Sequence, residues 1–299
     1  MKRLSCFLAV MACSTAIAQT PAPQAENKTP GAQAAPEKKG EARREARQAD
    51  RAAAKDQKKE VQLPTPTAEI AYGDHERQKI WFWKANTTEP APLLFFIHGG
   101  GWTGGNHTSV AGLLAPMLKE GISVASIEYR YTTQAQDVEP PVKAPLHDAA
   151  RALQVVRSKA QEWNIDKTRI AASGGSAGAC TSLWLAFHDD LADPNSSDPI
   201  ARESTRLTAA AVNGAQTTLD PAQMKEWTPN SKYGAHAFKI TGFDNFLAKR
   251  NEIMPWIKEY SPYHNVSPDD PRIYLIYTTP PNLGQEEKDP THTANFGVK

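Results

Sequence analysis

The stretch Arg169-Ile170-Ala171-Ala172-Ser173-Gly174-Gly175-Ser176-Ala177-Gly178-Ala179-Cys180 decides how the chain is read. A short apolar strand, Arg169 to Ser173, runs into a glycine-bracketed serine. The residues that follow, Cys180, Leu183, Trp184 and Phe187, recur at helical spacing. Gly174 to Gly178 thus matches G-x-S-x-G in the strand–turn–helix context that makes the serine a nucleophile. A turn this tight strains the serine backbone, and bulky side chains two positions to either side would clash. The hydroxyl is pushed above the sheet, and the helix start beneath it favours developing negative charge. Alone, the pentapeptide is also compatible with an ordinary Gly-Ser turn or a helix N-cap.

About 75 residues upstream, the apolar strand Leu93 to Ile97 ends in His98-Gly99-Gly100-Gly101-Trp102. Three glycines let backbone N–H groups turn toward a reacting centre. The donors are assigned to Gly100 and Gly101, with Ala177 as the third. A phosphate cradle is the competing use of such glycines, but no Gly-Lys-Ser/Thr follows.

Outward from these two motifs, short apolar runs alternate with helical patterns, the signature of a mostly parallel sheet with crossover helices. Strands are expected at Ile80–Trp83, Leu93–Ile97, Ile122–Ile127, Arg169–Ser173, Ala209–Val212 and Ile273–Tyr277. Leu146, Ala149, Ala150, Leu153 and Val156 form a helical stripe opened by Pro145. Thr217 to Tyr260 lacks strand signals and is rich in Trp, Pro and Asn, so it reads as a cap insertion beside the site. Trp227, Trp256 and Tyr260 there suit either ordinary core packing or stacking on an aromatic acyl group or a sugar face.

The chain has 299 residues, 40% of them hydrophobic, and a formal charge of +1. That size suits one large α/β domain with appendages. The charge points to neither nucleic acid nor an anionic membrane. No nucleic-acid motif and no zinc-spaced Cys/His cluster occurs, so neither metal nor cofactor is expected. Lys2 and Arg3, the apolar run Leu4 to Ala12 and Ala16-Ile17-Ala18 fit a signal peptide over residues 1–18, too short to span a bilayer. A rival reading makes Cys13 a lipidated anchor. After cleavage only Cys180 would remain, leaving no intramolecular disulfide. Residues 19–60 read as linker. Thr20 to Pro36 is rich in Ala, Pro and Gln, and residues 37–60 carry nine Lys/Arg and six Asp/Glu without an apolar stripe. The catalytic domain is placed at 61–299, in a secreted or periplasmic protein with no integral membrane span.

These residues carry a family resemblance. The chain resembles α/β-hydrolases of the hormone-sensitive-lipase-like group. More closely, it is similar to bacterial esterases with a feruloyl- or acetyl-xylan-esterase-like (BD-FAE-like) domain. The matching pieces are HGGGW at His98, EYRY at Glu128, NIDKTRI at Asn164, GGSAGA at Gly174 and SPYHNVSPDDP at Ser261. Gly175 departs from the lipase subgroup, many of whose members have an acid before the nucleophile. The resemblance implies a three-layer α/β sandwich with a small cap. It also implies acyl transfer to Ser176 from a small-molecule or polysaccharide-linked ester. The triad order is then Ser, Asp, His. The acid belongs after the strand Ile273–Tyr277, with Asp289 the candidate and Glu286 and Glu287 its rivals. The histidine belongs beyond one more helix and strand, roughly 17 residues at typical lengths, but only ten residues follow Asp289. The expected base therefore falls past residue 299, on a longer reading frame. His292 reaches the serine only if the terminus folds back. Two other readings stay open: a serine peptidase on the same fold, and a binding protein that keeps the fold without a working triad.

Overall fold

In the computed structural model, residues 63–135 and 137–299 are described, and those from Thr65 to Lys299 form one unit. The expected signal peptide, Cys13 and the linker lie outside the described residues. Seven strands form one sheet: β1 (Ala68–Ala71), β2 (Lys79–Trp83), β3 (Ala91–Ile97), β4 (Ser123–Ile127), β5 (Ile165–Gly175), β6 (Ala209–Asn213) and β7 (Arg272–Ile276). Their order across the sheet is β1-β2-β4-β3-β5-β6-β7. The first two pairings are antiparallel and the remaining four parallel. β4 is buried at every position and β3 at all but one, so both faces of the sheet centre are covered. This is the expected α/β-hydrolase layering.

The helices that follow the strands are α1 (Ala111–Lys119), α2 (Lys143–Ser158), α3 (Ala160–Trp163) and α4 (Ala177–Phe187). α2 begins two residues before Pro145, because the first-turn N–H groups have no intrahelical acceptor and proline costs nothing there. α4 is buried along its whole length. β5 starts four residues earlier than its apolar run, since Ile165 pairs with Ala91 before a register irregularity. The cap segment 217–260 contains α5 (Pro221–Trp227), α6 (Phe243–Ala248), α7 (Met254–Tyr260) and a 3-10 turn at Ala235–Phe238. Met224, Phe246, Ile257 and Tyr260 bury the inner side of this segment.

Register decides where chemistry can occur. Ile97 pairs with Gly174, Gly175 with Asn213, and Asn213 with Ile276. Strands β3, β5, β6 and β7 therefore end level, and their following loops gather at the carboxyl edge of the sheet, where open α/β sheets bind ligands.

Candidate active site

Ser176 stands between β5 and α4 with φ 53° and ψ −121°, a left-handed strain for a side-chain-bearing residue. A Cβ on Gly174 or on Gly178 would stand closer than 3.0 Å to the Ile97 carbonyl, so both flanking positions require glycine. Its N–H donates to the Asn213 carbonyl at 3.0 Å, tying the turn to the end of β6.

His292 lies against the serine, with Nε2 2.9 Å from Ser176 Oγ and Nδ1 2.8 Å from Asp289 Oδ2. An ionised carboxylate can only accept, so Nδ1 carries the ring proton and Nε2 is left to accept from the serine hydroxyl. Asp289 Oδ1 accepts from the N–H groups of Thr291 and His292 at 3.2 and 3.3 Å. Burial pulls the Asp289 pKa upward. The hydrogen bond and charge of His292, with those backbone donors, outweigh it and hold the carboxyl below its usual range. Both side chains remain open to water, His292 at 40% and Asp289 at 63% relative exposure.

This corrects the expectation that the base lies beyond residue 299. Family order separates acid and base by a helix and a strand. Here they are three residues apart on one turn, and the Asp289 cap bends the His292 ring back onto its own carboxylate. Gly214, at φ 57°, leaves room for it, since a Cβ there would come within 3.2 Å of His292 Cβ. The sequence signal was Asp-Pro-Thr-His itself: an acid whose Oδ1 accepts the N–H groups two and three residues on, carrying a histidine at the third. Buried polar side chains hold this turn. Gln216 donates to the Thr291 carbonyl at 2.6 Å and Thr217 to that of Phe296 at 2.7 Å. Asn295 Nδ2 donates to Trp227 O, and its Oδ1 accepts from Asn282 N. The rival Glu287 is instead bonded through its backbone to Asn230, and neither it nor Glu286 lines the cavity.

The glycine loop lies beside the nucleophile, with a Cβ on Gly99 falling 3.5 Å from Ser176 Cβ. Its carbonyls are held. Gly99 O accepts from His98 Nδ1 at 2.7 Å, and Gly100 O from Thr103 N at 3.1 Å. In a trans peptide the N–H points opposite to its C=O. Anchoring these two oxygens therefore fixes the N–H directions of Gly100 and Gly101. Neither N–H has a protein acceptor among the described residues. Gly100 lines the cavity, whereas Gly101 lies one peptide further back. Ala177 is fully buried at the first position of α4, where its N–H has no intrahelical acceptor. His98 is buried and stacks on Tyr129, with ring centroids 4.3 Å apart. Burial lowers its pKa to about 4, so it works as a neutral donor to the loop rather than as a base.

The cavity measures about 580 Å³ and is lined chiefly by small residues, among them Gly99, Gly100, Gly175, Ser109, Asn213 and Thr278. No residue of the cap segment lines it. Trp227 packs edge-on to Phe296, Trp256 is stacked parallel to Phe238, and Tyr260 is buried near Trp184. The stacking role considered for these three is thus replaced by core packing. Among the described residues no group of three His, Cys, Asp or Glu side chains is placed to hold a metal ion, and no helix is long and apolar enough to cross a membrane.

Comparison with known proteins bears on the family and the fold. Residues 81–283 match the BD-FAE family model. That span includes Gly100, Gly101 and Ser176 and stops short of Asp289 and His292. The chain is 34% identical to a probable carboxylic ester hydrolase, LipM, of Mycobacterium tuberculosis, over 70% of this chain and 46% of that protein. It spans about half or less of the length of the first curated relatives it matches. Among solved structures, an acetyl ester-xyloside bifunctional hydrolase from Caldicellulosiruptor lactoaceticus superposes with a TM-score of 0.60 at 21% identity. The match covers 79% of this chain and 80% of that one. Esterase Est2 of Thermogutta terrifontis superposes with a TM-score of 0.53 at 22% identity, covering 72% and 70%.

Proposed function

The chain belongs to the BD-FAE family, and we propose that it is a serine hydrolase that cleaves carboxylic esters through an acyl-enzyme intermediate. The observation that carries this reading is the unbroken path from Asp289 through His292 to Ser176 Oγ. In the proposed reaction His292 Nε2 takes the hydroxyl proton as Ser176 attacks the ester carbonyl. Asp289 keeps the proton of Nδ1 in place and balances the imidazolium. The N–H groups of Gly100, Gly101 and Ala177 receive the oxyanion, each worth about 2.7–4 kcal/mol in comparable sites. His292 then protonates the leaving alcohol, and a water activated by the same imidazole releases the acid.

A cavity of about 580 Å³ walled largely by glycines has room for an acetyl or a feruloyl group alike. Its wide mouth supports a bulky alcohol, whether a small molecule or an acylated polysaccharide. The signal-like residues 1–18 support action outside the cytoplasm, as a secreted or periplasmic enzyme. The binding-protein reading rested on the lack of an imidazole at Ser176, a ground that the 2.9 Å contact of His292 removes. The peptidase reading has no feature of its own in this chain.

The test is hydrolysis of p-nitrophenyl acetate by the chain and by Ser176→Ala, with a fluorophosphonate probe read by mass spectrometry. Turnover lost in the variant and labelling at Ser176 are expected. Equal rates for the two proteins refute the catalytic reading.

A further inference from the structure

The cap segment gives no residue to the cavity, yet one of its side chains touches the oxyanion loop. His236 Nε2 lies 2.9 Å from the Gly101 carbonyl oxygen. A carbonyl can only accept, so Nε2 carries a proton and donates. Gly101 and Trp102 are consecutive left-handed residues, at φ 62° and 57°. That conformation is costly for a tryptophan, and the peptide joining the two is the one whose oxygen His236 holds.

The imidazole itself is firmly placed. Gly234, at φ 105°, opens its 3-10 turn, and a Cβ there would stand within 3.0 Å of the Phe246 ring, so the turn sits directly on α6. Phe238 stacks on Phe246, and the Ala237 carbonyl accepts from Val142 N at 3.1 Å, joining the turn to the start of α2. The imidazole also packs against Tyr233 and Trp102, with centroids at 5.0 and 6.0 Å. Burial lowers its pKa, which keeps it neutral near neutral pH.

We propose that His236 is a positioning residue for ester hydrolysis, clamping the Gly101–Trp102 peptide from the cap segment and so fixing the far side of Gly101, whose own N–H is an oxyanion donor. This rests on the hydrolase reading above. His98 and Thr103 hold the Gly99 and Gly100 carbonyls from within the loop itself, and Tyr129 Oη also reaches the Gly99 carbonyl at 3.4 Å. His236 holds the Gly101 carbonyl from the cap segment. Losing it leaves the Gly101 carbonyl without that donor while Thr132 and Thr181 still hold Trp102, so the loop loosens at Gly101, which weakens transition-state stabilisation more than substrate binding.

Two variants separate a donor role from mere filling of space. His236→Gln places an amide N–H close to the position of Nε2, and His236→Leu fills similar volume without a donor. One neutral hydrogen bond is worth roughly a tenfold change at most. The Leu variant is therefore expected to lose about tenfold in kcat with KM nearly unchanged, and the Gln variant to recover most of that loss. Amide hydrogen exchange of residues 99–105 is expected to quicken in the Leu variant and not in the Gln variant. Unchanged exchange in the Leu variant overturns the clamp, as does equal loss in both variants accompanied by a shared drop in melting temperature. If the unmodified chain shows no Ser176-dependent turnover, the hydrolase reading fails, while hydrogen exchange still decides whether His236 holds the loop.

Discussion

Replacing Asp289 by Asn separates the charge of the acid from its shape. Asp289 Oδ1 accepts from two backbone N–H groups and Oδ2 from His292 Nδ1. An asparagine that keeps its oxygen on the backbone donors must point its NH₂ at Nδ1. The imidazole is then driven to carry its proton on Nε2, the nitrogen that has to accept from Ser176. In a buried triad this wrong tautomer costs about 10⁴ in kcat. Here the carboxylate is 63% exposed and the imidazole 40%. Water can take over either partner, and an exposed pair of this kind is worth at most about 1 kcal/mol. The amide can also flip at a cost of two weak backbone bonds. Asp289→Asn is therefore expected to lose only about 10- to 100-fold in kcat/KM, whereas His292→Ala and Ser176→Ala fall to background, a loss of roughly 10³-fold or more. The assay is p-nitrophenyl acetate hydrolysis at pH 8 with active-site titration. A fall in Asp289→Asn as deep as in His292→Ala would mean that the acid works in a dry environment this geometry does not have. An unchanged rate would mean that another carboxylate serves the histidine. Either result refutes the reasoning.

Two further predictions test the scaffold of the site. Burial lowers the His98 pKa to about 4 from 6.5, so the unfolded chain binds more protons between those values and stability falls as pH drops from 6.5 toward 4. His98→Gln is expected to flatten that part of the profile of unfolding free energy against pH, by up to about 3 kcal/mol at its lower end; an unaltered pH slope counts against a neutral buried imidazole. Gly178→Ala places a methyl group against the carbonyls of Ile97 and His98 with no flexible side chain able to move aside. It should lower stability by at least about 1–3 kcal/mol and abolish fluorophosphonate labelling. A variant that melts and labels like the parent would show that the elbow does not need this glycine.

What could be read in advance divides along physical lines. The central strands were legible because burial on both faces leaves a continuous apolar run, as in Leu93 to Ile97. β1 was not, since Ala68–Ala71 alternates half-buried and exposed positions on the antiparallel flank and carries no such run. The strand–turn–helix around Ser176 was legible because close backbone approach admits only glycine at Gly174 and Gly178. Helical spacing suggested little for residues 217–260, where helices of six or seven residues are fixed by contacts such as Phe238 on Phe246 rather than by their own periodicity.

His292 was the hardest residue to place, and the reason bears on how this site works. A base on its own strand is positioned by the sheet. A base three residues from its acid is positioned by a turn, and a turn in water needs outside anchors. Gln216 and Asn295 are both fully buried, and their hydrogen bonds to Thr291, Trp227 and Asn282 are long-range in sequence, so no local pattern reports them. An exposed acid–base pair can be accurate only if such buried amides hold it. On this argument the weak point of the triad lies beneath Asp289 and His292 rather than in them. A Gln216→Leu variant, which keeps the volume but drops the donor to Thr291, should lower kcat with the Ser176 elbow intact. Fluorophosphonate labelling, which needs the histidine as well as the serine, should slow in parallel with turnover. Parallel slowing would place the fault at the imidazole, whereas full labelling beside lost turnover would place it in a later step and contradict the anchoring role.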